Sequence, residues 1–326
     1  MPPQVGAGPA VCSVSEATAM LSFMAPEDGF LGLSEDAGAV SSDKARAWVI
    51  PFGLEASVTY GGGTRLGPSA ILQASHQVEL FDESFWCEPY QQYGVATVQP
   101  VVPEVGLAAA LDQLASVVQQ VVAAGRFPLV LGGEHALTVG AIRPFVDVGA
   151  PLTILQFDAH ADLRDGYAGE HYSHAAAMCR CLDHPNVQLV SVGVRNISAE
   201  EIPILEANRE RIEIFWAKDQ SQWRAQDVAK AVGSGPVYVS FDVDGFDASL
   251  MPATGTPEPG GLGWWQVMAC LEAISRSGAE IVGADVVELA PQPGLHGCDF
   301  LAAKLAYKIL SYSLLKGHYR GQGAAA

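Results

Sequence analysis

Positive charge is scarce in this chain: 18 Lys and Arg stand against 36 Asp and Glu, a formal charge of −18 over 326 residues. Nucleic acid and anionic membranes both require a basic face, so neither is an expected partner. Cysteine is sparse as well. Cys12, Cys87, Cys179, Cys181, Cys270 and Cys298 are scattered, with no CxxC pair. A disulfide framework is not expected in a chain of this size, which favours a reducing compartment. Cys179-Arg180-Cys181 is a weak metal or redox hint that small core or interface residues explain better. No Lys or Arg precedes Lys44, whereas a secretory leader needs a basic start and a transit peptide is Arg-rich. No apolar run reaches the ~18 residues of a membrane span. A soluble, cytoplasmic protein is the expectation. Its acidity would suit a cationic small substrate, although ordinary solubility accounts better for the charge alone.

Hydrophobic residues make up 49% of the chain, enough for a sizeable core. Residues 1–44 are Gly-, Ala- and Ser-rich and read as an N-terminal extension, partly mobile or docked on a neighbour. Short apolar runs then recur at 47–50, 94–97, 128–131, 152–157, 188–192, 212–215, 237–241 and 279–284. Helical patterns lie between most of them, clearest at 107–124 and 264–276. Fully apolar strands alternating with helices imply a parallel sheet covered on both faces. About eight strands are expected in one α/β domain over 45–315, with a frayed tail at 316–326. In such sheets function gathers at the carboxyl ends of strands.

Two runs sit at such ends: Phe157-Asp158-Ala159-His160-Ala161-Asp162 and Ser240-Phe241-Asp242-Val243-Asp244-Gly245-Phe246-Asp247. With period-2 alternation, Asp158, His160 and Asp162 would share a face, as would Asp242 and Asp244. His135, in Gly132-Gly133-Glu134-His135, is a further candidate past a strand. Clustered buried carboxylates are costly without compensating cations. Four aspartates carry −4, which two divalent ions balance. Two metals about 3.5–4 Å apart can activate a shared water. The donors are oxygen and imidazole with no thiolate, which favours a hard ion such as Mn²⁺ over structural zinc, with Ni²⁺ as an alternative. An EF-hand reading of Asp242-Val243-Asp244 fails, because its sixth and twelfth positions hold Asp247 and Ala253. Gly61-Gly62-Gly63-Thr64-Arg65-Leu66-Gly67 lacks the ending of a phosphate loop.

The set Gly132-Gly133-Glu134-His135, Asp158-Ala159-His160-Ala161-Asp162 and Ser240-Phe241-Asp242-Val243-Asp244 resembles the ureohydrolases, the arginase and agmatinase family. The likeness covers about residues 45–315 and extends to Gly255-Thr256-Pro257-Glu258-Pro259-Gly260-Gly261 and Asp285-Val286-Val287-Glu288. It implies a three-layer α/β/α fold with an eight-stranded parallel sheet, and two Mn²⁺ that hydrolyse a guanidino group to urea and an amine. By motif, one ion would take His135, Asp158, Asp162 and Asp242, and the other Asp158, His160, Asp242 and Asp244. A hydroxide bridging them would attack the guanidinium carbon. Asp162 would relay a proton, His174 would shuttle protons or orient substrate, and Glu288 would receive the guanidinium. A carboxylate meets that planar fork of N–H donors bidentately. Trimers or hexamers are implied too.

The loop Leu163-Arg164-Asp165-Gly166-Tyr167 lacks the Asn expected of an arginase and resembles the agmatinase type, with Arg164 and Asp165 as candidate substrate contacts. Tyr172-Ser173-His174, the run 58–64 and the run 78–82 point the same way. Agmatine, cleaved to putrescine and urea, is the expected substrate. Four positions depart from the pattern of the family it resembles: Glu134 replaces the commoner Asp, Ala248 a Pro, and Ala175-Ala176 a Gly-Thr pair. Arg164 keeps a guanidino acid such as 4-guanidinobutyrate or 3-guanidinopropionate open, beside free guanidine and arginine. A one-zinc deacetylase-like hydrolase has no need of Asp162 and Asp244. A non-catalytic metal-binding homologue would be expected to have lost a ligand.

Overall fold

Val, Ile and Leu dominate eight short segments, and each becomes a strand: β1 (Ala47–Phe52), β2 (Val95–Thr97), β3 (Phe127–Gly132), β4 (Leu152–Phe157), β5 (Val187–Val192), β6 (Ile212–Phe215), β7 (Pro236–Asp242) and β8 (Glu280–Val287). The computed structural model of the protein describes residues 21–147 and 149–315. The strands form one sheet in the order β2-β1-β3-β8-β7-β4-β5-β6, and every pairing is parallel.

Alternation along each strand builds two cores. Leu129, Leu131, Leu155, Phe157, Val239 and Phe241 face one side, with Ile71, Leu271 and Tyr307 from the helices Gly67–Ser75, Trp264–Arg276 and His296–Leu314. Val130, Ile154 and Tyr238 face the other, with Leu111 and Leu114 from the helix Leu107–Ala123. The expected three-layer α/β/α sandwich is therefore present. Strands buried on both faces need apolar residues at every position, which is why the runs show no polar alternation.

Residues 21–44 pack onto this same body. Phe30, Leu31 and Leu33 are buried in the first core, and the Phe30 and Leu31 amides donate to Thr97 Oγ1 and Ser75 Oγ at 2.8 Å each. The rest of the expected extension, residues 1–20, and the tail 316–326 lie outside the described residues. Among the described residues five cysteines are free, and no helix is long and apolar enough to cross a membrane.

Candidate metal centre

The four central strands, β3, β8, β7 and β4, each deliver an acid or imidazole at their carboxyl end. His135 follows β3, Glu288 follows β8, Asp242 ends β7 and Asp158 follows β4. The expected period-2 mechanism of convergence is not what happens. β4 stops at Phe157, and Asp158 to Asp162 turn irregularly, with Asp162 at φ 52°. Asp244 sits in a 3-10 turn over Val243–Gly245. Side chains at strand spacing thus meet through loop geometry, at the cost of a left-handed backbone at Asp162 and at Glu288 (φ 64°).

Two donor groups result, His135–Asp158–Asp162 and Asp158–His160–Asp244, sharing Asp158. His135 Nδ1 lies 2.9 Å from Asp162 Oδ2, 3.1 Å from Asp158 Oδ2 and 3.5 Å from Asp242 Oδ2. His160 Nδ1 lies 3.0 Å from Asp244 Oδ2. Backbone and side-chain donors hold the carboxylates. Gln156 Nε2 donates to Asp158 at 2.8 Å, the Ala159 amide to Asp244 at 2.9 Å and the Asp244 amide to Asp242 at 2.8 Å.

The ring of His135 shows that these residues fit a cation. Ser240 Oγ donates its one proton to Asp285 Oδ1 at 2.8 Å, so toward His135 Nε2, also at 2.8 Å, it can only accept. Nε2 therefore carries hydrogen, and Nδ1 points among three carboxylates. That nitrogen is buried and in hydrogen-bond geometry with none of them. A ring nitrogen aimed into that much negative charge requires a positive charge there, a proton in the ion-free protein or a metal ion in its place. The carboxylate–hydroxyl–imidazole relay behind it is the arrangement that fixes a metal-ligating histidine.

The titrating groups report the same field. Burial, then the charges of Asp244 and Asp158, push the Asp242 carboxyl well above the carboxylate range. Burial and then Asp158 raise Asp162 to about 7. Burial opposes charge on His160, but Asp244 and Asp158 outweigh it and raise the imidazole to about 12. His135 is raised for the same reason, with Asp158 and Asp162 outweighing burial. Protons take the place that divalent ions would fill.

A cavity of about 230 Å³ opens over these groups. Glu288, His174 and Arg164 line it. Glu288 accepts from the His135 amide at 2.6 Å. His174 contacts Ser57 Oγ through Nδ1 at 3.2 Å and Thr59 Oγ1 through Nε2 at 2.9 Å. Burial, then the positive charge of His135 and His160, lower its pKa to about 4. Arg164 stacks over the Tyr167 ring at 5.0 Å and pairs with Glu200. Asp165 is a correction: it is not among the cavity-lining residues, and its carboxylate binds Arg180 at 2.6 Å, because Arg180 is almost buried and draws the nearest acid. His171 contacts the same guanidinium, away from the cavity lining.

Several participants were not evident from sequence. Arg195 donates to the carbonyls of Gly193, Asp244, Phe246 and Glu258, tying the Asp244 turn to the segment carrying Glu258. Asn196 donates to Glu258 Oε1 at 2.8 Å. Asn196 and Ser198 line the cavity. Isolated Ser, Thr, Asn and Arg residues carry no spacing signal that would mark them.

Residues 45–311 match the family model for arginase, described as the arginase family. The N(1)-aminopropylagmatine ureohydrolase of Synechocystis is 34% identical over 81% of this chain and 88% of its own length. The agmatinase of Pyrococcus horikoshii is 32% identical over 81% of this chain and 90% of its own. Among solved structures, the agmatine ureohydrolase of Thermoplasma volcanium superposes with a TM-score of 0.75 at 30% identity, covering 85% of this chain and 93% of its own.

Proposed function

This chain belongs to the arginase family, and on that premise we propose that its substrate is an alkylguanidine with a cationic tail, agmatine, cleaved to putrescine and urea. It is a hydrolase acting on guanidino groups. The observation supporting the tail is the charge of the cavity wall. Glu201, Glu258 and Glu288 line it beside five of the proposed metal donors, His135, His160, Asp162, Asp242 and Asp244. Its one arginine, Arg164, is already paired with Glu200 and stacked on Tyr167, which leaves it a poor anchor for a substrate carboxylate.

Six side chains would hold two divalent cations: His135, Asp158, Asp162 and Asp242 one, and Asp158, His160, Asp242 and Asp244 the other. Oxygen and imidazole donors without thiolate suit Mn²⁺, or Ni²⁺. Such a pair supplies the charge that brings the pKa of water toward neutrality. The chain's own groups do the rest. Glu288 accepts the guanidinium N–H fork and presents its carbon toward the donor cluster. Asp162, buried beside His135, relays the proton that the attacking water sheds toward His174. His174 Nε2, reaching the cavity beside Thr59, passes a proton to the leaving nitrogen, so that urea and an amine depart. We also infer cytoplasmic residence and a homo-oligomer, trimer or hexamer, which light scattering checks.

A longer tail is the second reading, favoured by Glu258. This carboxylate lies on the cavity wall at a partly exposed position, held by Asn196, where a second ammonium could meet it. The deciding experiment is urea release from Mn²⁺-loaded protein with agmatine, N(1)-aminopropylagmatine, arginine, guanidine, 4-guanidinobutyrate and 3-guanidinopropionate. Amine-tailed substrates are expected to exceed the acids in kcat/KM by at least tenfold. Preference for an acid would reject the reading and make Arg164 the anchor.

A further inference from the structure

A second carboxylate–hydroxyl–imidazole chain ends at His174 on the cavity lining, and nothing in the metal chemistry requires it. Glu134 is fully buried. Its Oε2 accepts from the amides of Ala56 and Ser57 at 2.5 and 2.7 Å. Its Oε1 accepts from the Ser57 hydroxyl at 2.7 Å. Ser57 Oγ also accepts from the His174 amide at 3.0 Å and lies 3.2 Å from His174 Nδ1. A serine hydroxyl has one proton, and here Glu134 takes it. Toward the ring, Ser57 can only accept. The hydrogen must therefore sit on Nδ1, and Nε2 is left with its lone pair. That lone pair faces Thr59 Oγ1 at 2.9 Å, and Thr59 lines the cavity.

We propose that Glu134 and Ser57 are positioning residues that set the Nδ1–H tautomer of His174, so that Nε2 presents a proton-accepting lone pair to the substrate cavity. The inference rests on the reading of His174 as the group that protonates the leaving nitrogen. With this tautomer the cycle balances. Nε2 takes up the proton released by the attacking water, Nδ1–H stays on Ser57, and the imidazolium gives the Nε2 proton to the departing amine nitrogen. His174 returns neutral and unchanged. With the opposite tautomer, Nε2 already holds hydrogen and has no room for that proton. Glu134, the residue before His135, reaches this task because its carboxylate accepts from the Ala56 and Ser57 amides of the loop 56–59.

The substitution Glu134→Gln inverts the relay by simple valence. Two amides converge on Oε2, so the Gln oxygen must sit there and its NH₂ must take the Oε1 position. The NH₂ then donates to Ser57, whose proton turns to His174 Nδ1 and forces hydrogen onto Nε2. A fixed wrong tautomer at a comparable histidine is enough to cost about 10⁴ in kcat. The test is the ¹⁵N spectrum of ring-labelled protein loaded with diamagnetic Mg²⁺, with the His174 signals identified by their loss in His174→Ala. The wild-type protein is expected to show a pyrrole-type Nδ1 and an imine-type Nε2, and Glu134→Gln the reverse. In Mn²⁺-loaded protein, Glu134→Gln is expected to lower kcat by about 10²–10⁴-fold with KM and metal content little changed. Should that variant not fold, Ser57→Ala is expected to erase the Nδ1–H preference and lower kcat in the same range. A wild-type spectrum with hydrogen on Nε2, or either variant keeping the wild-type tautomer and rate, overturns the relay. Full activity of His174→Ala would instead reject the role of His174 in protonation while leaving the spectral outcome to decide the relay.

Discussion

Asp162 and Glu288 hold left-handed backbone conformations that few non-glycine residues adopt, and both face the cavity. Strain there is compensated by the fixed surroundings, which aim two carboxylates at defined points. Glu288→Gln keeps the shape and removes the charge that a guanidinium would meet. Losing one charge-assisted contact costs about 1.5–3 kcal/mol, so kcat/KM should fall about 10- to 100-fold while two metals stay bound. Unchanged kcat/KM would reject the assignment. Asp162 gives a pH prediction. In metal-stripped protein, burial and then Asp158 raise its carboxyl from 3.8 to about 7. A carboxyl raised on folding binds more protons in the folded state. Stability is therefore lost as pH rises, by up to about 1.4 kcal/mol per unit between those values. Stripped protein should show a falling Tm from about pH 4 to about pH 7, and metal-loaded protein should not, since the ions replace the protons. A Tm that rises over that interval in stripped protein would contradict this account.

At the level of elements, the turn after β3 places both His135 and Glu134. It can do so because Gly133 passes against the loop after β1: a Cβ there would lie 1.8 Å from the Leu54 carbonyl oxygen. The Gly133 and Glu134 amides donate to Phe52 and Leu54 at 3.1 and 2.8 Å. Gly133→Ala therefore forces backbone apart and should destabilise the fold by about 3 kcal/mol, the upper end of overpacking costs, with metal affinity falling alongside. An unchanged Tm would mean that the loop yields freely. The strands themselves were legible, since Leu129-Val130-Leu131 and Val237-Tyr238-Val239 are apolar on both faces as a covered parallel sheet requires. Their order was not, because β3, β8, β7 and β4 become neighbours through crossovers that no local pattern records. The candidate donors that the fold groups together, His135, Asp158, His160, Asp162 and Asp244, were legible as types and spacing. How they converge was not: strand alternation suggested it, whereas the irregular turn of 158–162 achieves it. The relays through Ser240 and Ser57 were also hidden, because a serine reads the same whether it faces water or a carboxylate. The Asp165 expectation failed for a related reason, as the partner that captures it, Arg180, lies 15 residues on.

For the whole molecule, a charge of −18 and an acidic cavity create a field that draws in cations. Agmatine carries two positive charges, so its kcat/KM should fall several-fold as salt rises from about 0.05 to about 0.5 M, where the screening length shrinks well below the molecular radius. Guanidine, with one charge, should respond less. Equal salt dependence for both would show that the tail does not sense the field. The same field governs stability. The carboxyl ends of the four central strands concentrate buried negative charge, and the fold carries it by binding cations. At a hundredfold excess over Kd, each bound ion adds about 2.7 kcal/mol. The most direct test is a titration of metal-stripped protein with Mn²⁺, in which bound metal and urea release from agmatine are measured in the same samples. Two equivalents per chain, with activity rising as the second binds, are predicted. Saturation at one equivalent, or urea release from stripped protein, would contradict a two-ion centre built from His135, Asp158, His160, Asp162, Asp242 and Asp244.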